Sequence, residues 1–280
     1  MPIFTLKSYS DFIVANTKTA QEKLERFTKA GPANIHYLFD FDRTLTTSKN
    51  SNDDVTTWHL LHTLLPPEGR TDYNRLGDVY QTMEFSGTMT ANDAERWWIE
   101  TLELCIRYRI THKAIQEACK LIKLRDGAPD LFTLCEQAGV PTIILSAGVY
   151  DIIDHVMRSY KLQPTAVLST RLQYGTNGQL NGWDRASLIH SLNKHEMGHS
   201  ELSRIRNERP FTVLIGDSLE DANMVDPTHE VLRIRVDDHR ADKTEDRTTY
   251  LQKSFAAGYD IVTGEDLLQV AGMTKRLLSC

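Results

Sequence analysis

The fold is decided by the stretch IHYLFDFDRT, residues 35–44. Its first five residues form a short apolar run that predicts a buried strand, and Asp40 follows that run directly. The same arrangement recurs at Ser146 and at Gly216-Asp217, each of which comes at the end of an apolar run of strand length. The recurring unit of this chain is therefore a strand that ends in a polar motif.

The chain around these motifs has two kinds of pattern. After Gly127, apolar runs alternate with amphipathic helical segments, which predicts an open, mostly parallel, Rossmann-like α/β sheet. The four residues 175–178 predict the turn of a hairpin within this part. Residues 53–123 are helical almost throughout, which indicates a helical insertion after the first strand. We therefore predict an α/β core of residues 1–46 and 125–280 and a helical cap of residues 47–124.

The composition narrows the class of function. The chain has 280 residues, a net charge of −6 and a pI near 5.9, which argues against a partner that is a nucleic acid polymer. Its four cysteines form no CxxC pair, and three of them lie in apolar surroundings, which favours buried thiols and a reducing compartment. Neither a signal peptide nor an apolar run of membrane-spanning length is evident. A soluble cytoplasmic protein is expected, with its oligomeric state left open.

The strand-end motifs predict one shared site. Ligand crevices of parallel α/β sheets lie beyond the carboxyl ends of the strands. The side chains expected to meet there are those of Asp40, Asp42, Ser146, Asp217 and Asp221. Aspartate and serine are also common in turns and caps, so one such motif alone would say little. Three of them in one order predict a cluster of carboxylates, which needs a cation such as Mg²⁺.

These residues resemble the four motifs of the haloacid dehalogenase-like superfamily: Asp40-x-Asp42-x-Thr44, Ser146, Lys194 and Gly216-Asp217-Ser218-x-x-Asp221. The second aspartate, Asp42, is typical of the phosphatase branches rather than of the dehalogenases. The resemblance implies that Asp40 is a nucleophile that forms an aspartyl-phosphate and that Asp42 is the general acid and base. It also implies a Mg²⁺ ion held by Asp40, the main-chain carbonyl of Asp42 and Asp217, with Asp221 acting through bound waters.

The phosphate would be bound by Ser146 and Lys194 in such an enzyme. Phosphoryl transfer depends mainly on positioning and on neutralised charge, which a metal ion and a lysine supply from two sides. We also expect the amides of Ala147 and Gly148 to begin a helix whose N-terminus favours an anion.

Four longer stretches resemble a narrower family, the cytosolic pyrimidine 5'-nucleotidases of type III. They are Met83-Glu84-Phe85, Leu145 to Asp151, Leu192 to Glu196 and Ile215 to Met224. The resemblance implies hydrolysis of nucleoside 5'-monophosphates, with pyrimidines preferred, in a cytoplasmic nucleotide-metabolising enzyme. It implies that Glu84 contacts the base and that Ser146, Ala147 and Lys194 contact the phosphate.

The cap helix departs from that family. Leu102 stands where the family has a tyrosine near the base, and Cys105 stands where it has a serine, which bears on base preference. Trp97 and Trp98 are adjacent, so on a helix they point about 100° apart. At most one of them is therefore expected to face the site, and core packing is expected for either.

Three alternatives remain open from the sequence. The same superfamily includes enzymes for other small phosphate esters, such as phosphoserine. A phosphate-binding protein without catalysis would use the same fold. The third is a zinc peptidase, because His195-Glu196-Met197-Gly198-His199 spells HExxH. That reading requires a helix that Gly198 weakens and a third ligand, and Ile205 stands where the metzincin extension has histidine.

Overall fold

The structure is a computed structural model that describes residues 12–47, 55–195, 199–226, 228–237 and 246–279, with only the backbone of Phe85. Nine strands lie in these ranges: β1 Ile13–Val14, β2 Ile35–Phe39, β3 Thr142–Val149, β4 Ala166–Thr170, β5 Leu172–Tyr174, β6 Leu180–Trp183, β7 Phe211–Gly216, β8 Glu230–Val236 and β9 Ile261–Thr263. Seven of them form one sheet in the order β1-β9-β8-β7-β2-β3-β4, and β5 and β6 form the hairpin predicted around residues 175–178.

Ten α-helices accompany the strands in the same ranges. They are α1 Thr17–Ala30, α2 Thr57–Leu64, α3 Pro67–Phe85, α4 Ala91–Arg107, α5 His112–Ala118, α6 Ala128–Gln137, α7 Tyr150–Ser159, α8 Ser200–Glu208, α9 Arg247–Ala256 and α10 Leu268–Leu277. None of these helices is both long and apolar enough to cross a membrane. The thiols of Cys105, Cys119 and Cys135 are free and buried, as predicted, whereas Cys280 lies outside the described residues.

The large sheet is parallel except for β1, which pairs antiparallel with β9. All five residues of β2 are buried, as expected for a central strand with helices on both faces. β2 lies between β3 and β7, with Leu38 opposite Ile143 on one side and Leu214 on the other. The predicted α/β fold is confirmed, and the three motif-bearing strands are neighbours whose carboxyl ends meet at one edge.

Two local predictions were wrong. The insertion follows the second strand rather than the first, because the two-residue β1 is too short to show a periodic pattern. β3 continues through Ala147 and Gly148 to Val149, so the helix begins only at Tyr150. Pairing of Val149 with Thr170 of β4 extends the strand, and Ser169 Oγ donates to Gly148 O at 2.7 Å.

The helices between Thr47 and Lys123 are joined to the sheet by two adjacent chain segments. Thr46 and Leu124 pair antiparallel, Thr47 N donates to Lys123 O at 2.9 Å, and Arg125 N donates to Leu45 O at 2.8 Å. The hairpin lies against the same helices, because Leu180 N donates to Ile110 O at 2.8 Å. We call residues 57–121 the helical segment; the hairpin contacts it although its sequence belongs to the later part of the chain.

Candidate active site

Three carboxylates from the carboxyl edge of the sheet meet in a small volume. Asp40 follows β2, Asp217 follows β7, and Asp221 lies in a 3₁₀ turn, Glu220–Met224. One carboxylate oxygen from each of the three lies within 4.8 Å of the others. An all-oxygen set of this kind suits a hard divalent cation such as Mg²⁺.

Lys194 supplies a buried positive charge in contact with two members of this cluster. Its Nζ donates to Asp40 Oδ1 at 2.5 Å and to Asp221 Oδ1 at 2.7 Å. Burial raises the pKa of Asp40 to about 6 although the charge of Lys194 opposes the rise. Burial alone would lower the pKa of Lys194, but the carboxylates of Asp221 and Asp40 outweigh it and raise that pKa. The lysine is therefore held as an ammonium against two buried carboxylates.

Asp221 is fixed by its own turn. Its Oδ2 accepts hydrogen bonds from Asp217 N at 3.1 Å and Ser218 N at 3.0 Å. Gly216 makes room for it, since a Cβ at that position would lie 2.5 Å from Asp221 Cβ. Thr44 Oγ1 donates to Asp217 Oδ1 at 2.8 Å, which orients the neighbouring carboxylate. The cluster is thus preorganised by hydrogen bonds that the motif residues make among themselves.

Asp42 is held from the other side, by the first turn of α2. Thr57 N donates to its Oδ1 at 2.9 Å, and Thr57 Oγ1 donates to its Oδ2 at 2.6 Å. The chain turns sharply after Asp42, because Arg43 has a φ of 69°, a conformation that is uncommon for a residue with a side chain. The buried Arg125 holds this turn, since its Nε donates to Arg43 O at 3.1 Å.

Ser146 is 1% exposed and lies within the second half of β3, next to these groups. Its Oγ accepts a hydrogen bond from Gly148 N at 3.1 Å. A Cβ on Gly148 would lie 2.5 Å from Thr57 Oγ1, so glycine is needed there for α2 to approach the strand. Because Ala147 and Gly148 belong to the strand, their amides do not form the helix N-terminus that we expected.

A cleft of about 310 Å³ opens above these residues, between the strand ends and the helical segment. Its lining includes all the predicted site residues: Asp40, Asp42, Glu84, Ser146, Ala147, Lys194, Asp217 and Asp221. Glu84 lies at the end of α3 and is exposed. The protein atoms around it and the charge of Glu220 raise its pKa, which Arg43 opposes.

The aromatic lining differs from expectation. Trp97 and Trp98 both line the cleft, so the prediction that at most one would do so was wrong. Trp97 stacks on Tyr80 with ring centroids 5.7 Å apart, and Trp98 packs edge-on against Trp58 with ring centroids 5.4 Å apart. Leu102 and Cys105, by contrast, are fully buried.

Sequence reasoning missed Thr57, Trp58 and Tyr73, which also contribute to the site or its lining. Thr56 caps α2 by accepting from His59 N, so the start of this helix was readable from the sequence. Which strand end that start would contact was not readable, because the contact depends on tertiary packing.

The two histidines of the HExxH stretch do not lie in the helix that a zinc site needs. His195 is exposed and lies outside any helix, and its Nδ1 lies 3.3 Å from Asn223 O. His199 precedes α8 as its N-cap. Residues 196–198 lie outside the described residues, but the two histidines do not share a helical turn.

Comparison with known proteins identifies the family. Residues 44–277 match the family model of the pyrimidine 5'-nucleotidases, UMPH-1; Asp40 and Asp42 lie just before the matched range. The 7-methylguanosine phosphate-specific 5'-nucleotidase A of Xenopus laevis is 27% identical over 259 residues, covering 88% of this chain and 88% of that protein.

Two solved structures share the fold. Cytosolic 5'-nucleotidase IIIB bound to cytidine matches with a TM-score of 0.79 and 20% identity, covering 98% of this chain and 97% of that one. A substrate-bound phosphoserine phosphatase matches with a TM-score of 0.56 and 17% identity, covering 85% of this chain and 97% of that one. The chain belongs to the pyrimidine 5'-nucleotidase (UMPH-1) family, and it is a 5'-nucleotidase, a phosphoric monoester hydrolase with the haloacid dehalogenase-like fold.

Proposed function

We propose that this 5'-nucleotidase hydrolyses nucleoside 5'-monophosphates, with pyrimidines preferred, through an aspartyl-phosphate formed on Asp40 with Mg²⁺ as cofactor. The observation that carries the proposal is the buried contact of Asp40 with Lys194 at 2.5 Å, next to the carboxylates of Asp217 and Asp221. A carboxylate placed against an ammonium in a water-poor cleft is poised to meet an anionic phosphate.

The donor set fits Mg²⁺. The ligands would be carboxylate oxygens of Asp40 and Asp217 and the main-chain carbonyl of Asp42, with Asp221 acting through bound waters. Three carboxylates lie close together with Lys194 as the cation that contacts two of them, so the cluster gains from a further positive charge. When bound, the ion would neutralise and orient the phosphate.

The reaction would proceed in two displacements. In the first, a carboxylate oxygen of Asp40 forms a bond to phosphorus while the bond from phosphorus to the ribose 5'-oxygen breaks, and Asp42 donates a proton to that oxygen. In the second, Asp42 takes a proton from a water molecule that attacks the phosphorus and releases inorganic phosphate from Asp40. Two displacements replace one difficult step with two easier ones.

The phosphate would be bound by groups already fixed around Asp40. Lys194 would neutralise negative charge on the phosphate, and Ser146 would donate its hydroxyl hydrogen to a phosphate oxygen. The main-chain amide of Ala147 would donate to a further phosphate oxygen. Thr57 orients Asp42 so that one carboxylate edge faces the position of the leaving oxygen. Asp42, Ser146, Ala147 and Lys194 all line the cleft.

We further propose that residues 47–124 act as a cap over an α/β core of residues 1–46 and 125–280. The antiparallel pair of Thr46 and Leu124 would be the hinge. Closure excludes water while Asp40 reacts, which is a common role of such lids. The base would then lie between the aromatic wall and Glu84, whose carboxylate can accept hydrogen bonds from an exocyclic amine.

A second candidate substrate is 7-methylguanosine 5'-monophosphate. The Xenopus laevis relative is specific for it by name, and the cleft wall carries Trp58, Trp97 and Trp98. A methylated purine with a positive charge is attracted to aromatic faces and to nearby carboxylates such as those of Glu84 and Glu220.

One screen tests these proposals. Phosphate release is measured with CMP, UMP, AMP, 7-methylguanosine monophosphate and phosphoserine, each with Mg²⁺ and with chelator. We expect the highest kcat/KM for a pyrimidine nucleotide and loss of release with chelator. A higher kcat/KM for the methylated purine selects the second candidate, and phosphoserine as best substrate would overturn the choice of nucleotide. Acid quenching of a reaction with substrate labelled in its phosphate should trap labelled protein. Hydroxylamine should then release the label from that protein.

A further inference from the structure

Two indole groups of the helical segment share one acceptor in the sheet. Trp58 Nε1 donates to Ala147 O at 2.9 Å, and Trp98 Nε1 donates to the same oxygen at 2.8 Å. The two rings pack edge-on with centroids 5.4 Å apart. A carbonyl oxygen has two lone pairs, so both donors can be satisfied at once. Two different helices, α2 and α4, therefore contact the phosphate motif at a single atom.

The contact is made at an irregular point of the sheet. Paired positions of β3 and β4 pass from Leu145 directly to Val149, with a shift of register between them. Ala147 O, the acceptor of both indole N–H groups, lies between these two paired positions. The shape of the strand end at Ser146, Ala147 and Gly148 is thus set partly by the helical segment.

The peptide bond between Ala147 and Gly148 connects this contact with Ser146. In a trans peptide the N–H points away from the C=O, so donors on Ala147 O direct Gly148 N–H to the opposite side. There Gly148 N donates to Ser146 Oγ at 3.1 Å. The serine oxygen then accepts from the amide, which leaves its own hydrogen to donate elsewhere. Hydrogen bonds arranged in series also strengthen one another.

We propose that Trp58 and Trp98 are positioning residues that set the direction of the Ser146 hydroxyl through the Ala147–Gly148 peptide. The inference rests on the proposed function in one respect, that Ser146 binds the phosphate. It assigns the two tryptophans a role in phosphate affinity that is separate from any contact with the nucleoside. It also links closure of the helical segment to phosphate binding, because both donors leave the carbonyl when the segment moves away.

The shared acceptor predicts a specific pattern in a double-mutant cycle. One remaining indole still satisfies the carbonyl, whereas loss of both leaves a desolvated acceptor without a donor. We expect Trp58→Phe and Trp98→Phe each to weaken binding of inorganic phosphate about 3-fold, and the double variant to weaken it about 30-fold or more. Binding is measured by calorimetric titration of phosphate with Mg²⁺ present. Tyr80→Phe, which removes a hydrogen bond to Glu100 in the same segment, is the matched control and should bind as wild type does.

Two measurements separate this role from packing. Replacing both tryptophans with benzothienyl-alanine keeps the ring size and removes only the N–H, so it should reproduce the phosphate affinity of the double phenylalanine variant while lowering the melting temperature less than that variant does. Nucleoside affinity should change less than 3-fold in the benzothienyl protein. The inference is overturned if the fold-loss of phosphate affinity in the double variant equals the product of the two single fold-losses. It is also overturned if the benzothienyl protein binds phosphate as the wild type does. Failure of the wild type itself to bind phosphate would instead count against the proposed function.

Discussion

The two ends of β2 each bury a titratable side chain, and they do so in opposite ways. At its start, His36 is fully buried and its hydrogen-bond partners are neutral: its Nδ1 lies 2.8 Å from Arg209 O, and its Nε2 lies 3.2 Å from Thr212 Oγ1. Just beyond its other end, Asp40 is buried against the charge of Lys194. Burial lowers the pKa of His36 to about 4 and raises that of Asp40 to about 6, so each shift favours the neutral form.

The difference lies in the partners. A carbonyl and a hydroxyl satisfy the neutral imidazole and leave nothing for a ligand to add. Asp40 shares its surroundings with two further carboxylates and opens onto a cleft. A buried titratable group therefore indicates a reactive site when its neighbours are charged and incompletely balanced, and indicates fold stability when they are neutral and complete. Four experiments test this distinction.

Asp40→Asn should have the largest effect. The amide keeps the shape of the side chain but removes the nucleophile, so we expect kcat for phosphate release to fall at least about 10³-fold. Circular dichroism should show an unchanged fold. Asp130→Asn, at an exposed position in the first turn of α6, is the control for the same chemical change. Normal phosphate release by the Asp40 variant would exclude this residue as nucleophile.

Asp217→Asn tests whether the carboxylate cluster binds a metal. We expect activity to fall on the order of 10²-fold, and the increase in melting temperature that Mg²⁺ gives the wild type to disappear. Asp154→Asn alters a surface ion pair with Arg158 and should keep both properties. If chelator and Mg²⁺ leave the wild-type melting temperature unchanged, the cluster is not the cation site that we propose.

Thr57→Val should have a smaller effect, because it removes one hydrogen bond to Asp42 and leaves the main-chain donor in place. We expect kcat to fall about 10-fold, with KM within about 2-fold of the wild type. Thr63→Val is the matched control in the same helix, since its hydroxyl donates to Leu60 O at 2.7 Å within that helix. An equal loss in both variants would mean that the first turn of α2 acts through stability.

The groups tested by these variants also differ in how far the sequence predicted them. Asp40, Ser146 and Asp217 were predictable because each directly ends an apolar run, and parallel strands bring such ends together. Lys194 was assigned to the phosphate through the family resemblance, but its burial against Asp40 and Asp221 was not predicted, because nothing in its polar local sequence indicates it. The contacts of Thr57 were not predictable, since they depend on how the helical segment packs against the sheet.

The boundary errors have the same origin. β3 continues past Leu145 because residues of β4 pair with it, and such long-range pairing is absent from a local pattern of apolar residues. Trp97, Trp98 and Thr101 all line the cleft, so more of α4 contributes to it than the single face that a helical periodicity describes.

Substitution of His36 should have the smallest effect on activity, but it should change the free energy of unfolding measurably. Its pKa is lowered from 6.5 to about 4 by burial, with further lowering by the charges of Arg209 and Arg206 and with the Arg209 carbonyl in opposition. Between these values the unfolded chain binds a proton that the folded protein does not. The stabilisation is therefore fully present above pH 6.5 and is lost as the pH falls towards 4, by about 3 kcal/mol in all.

His36→Asn isolates this contribution from those of the other histidines. The amide can still donate to Arg209 O but does not titrate, so the variant should be less stable at pH 7.5 and should approach the wild type as the pH falls to 4.5. Urea unfolding at several pH values measures the difference in the free energy of unfolding. A difference that stays constant with pH would mean that His36 has the same pKa in the folded protein as in the unfolded chain. Burial with neutral partners would then not keep His36 neutral, and the contrast between the two ends of β2 would fail.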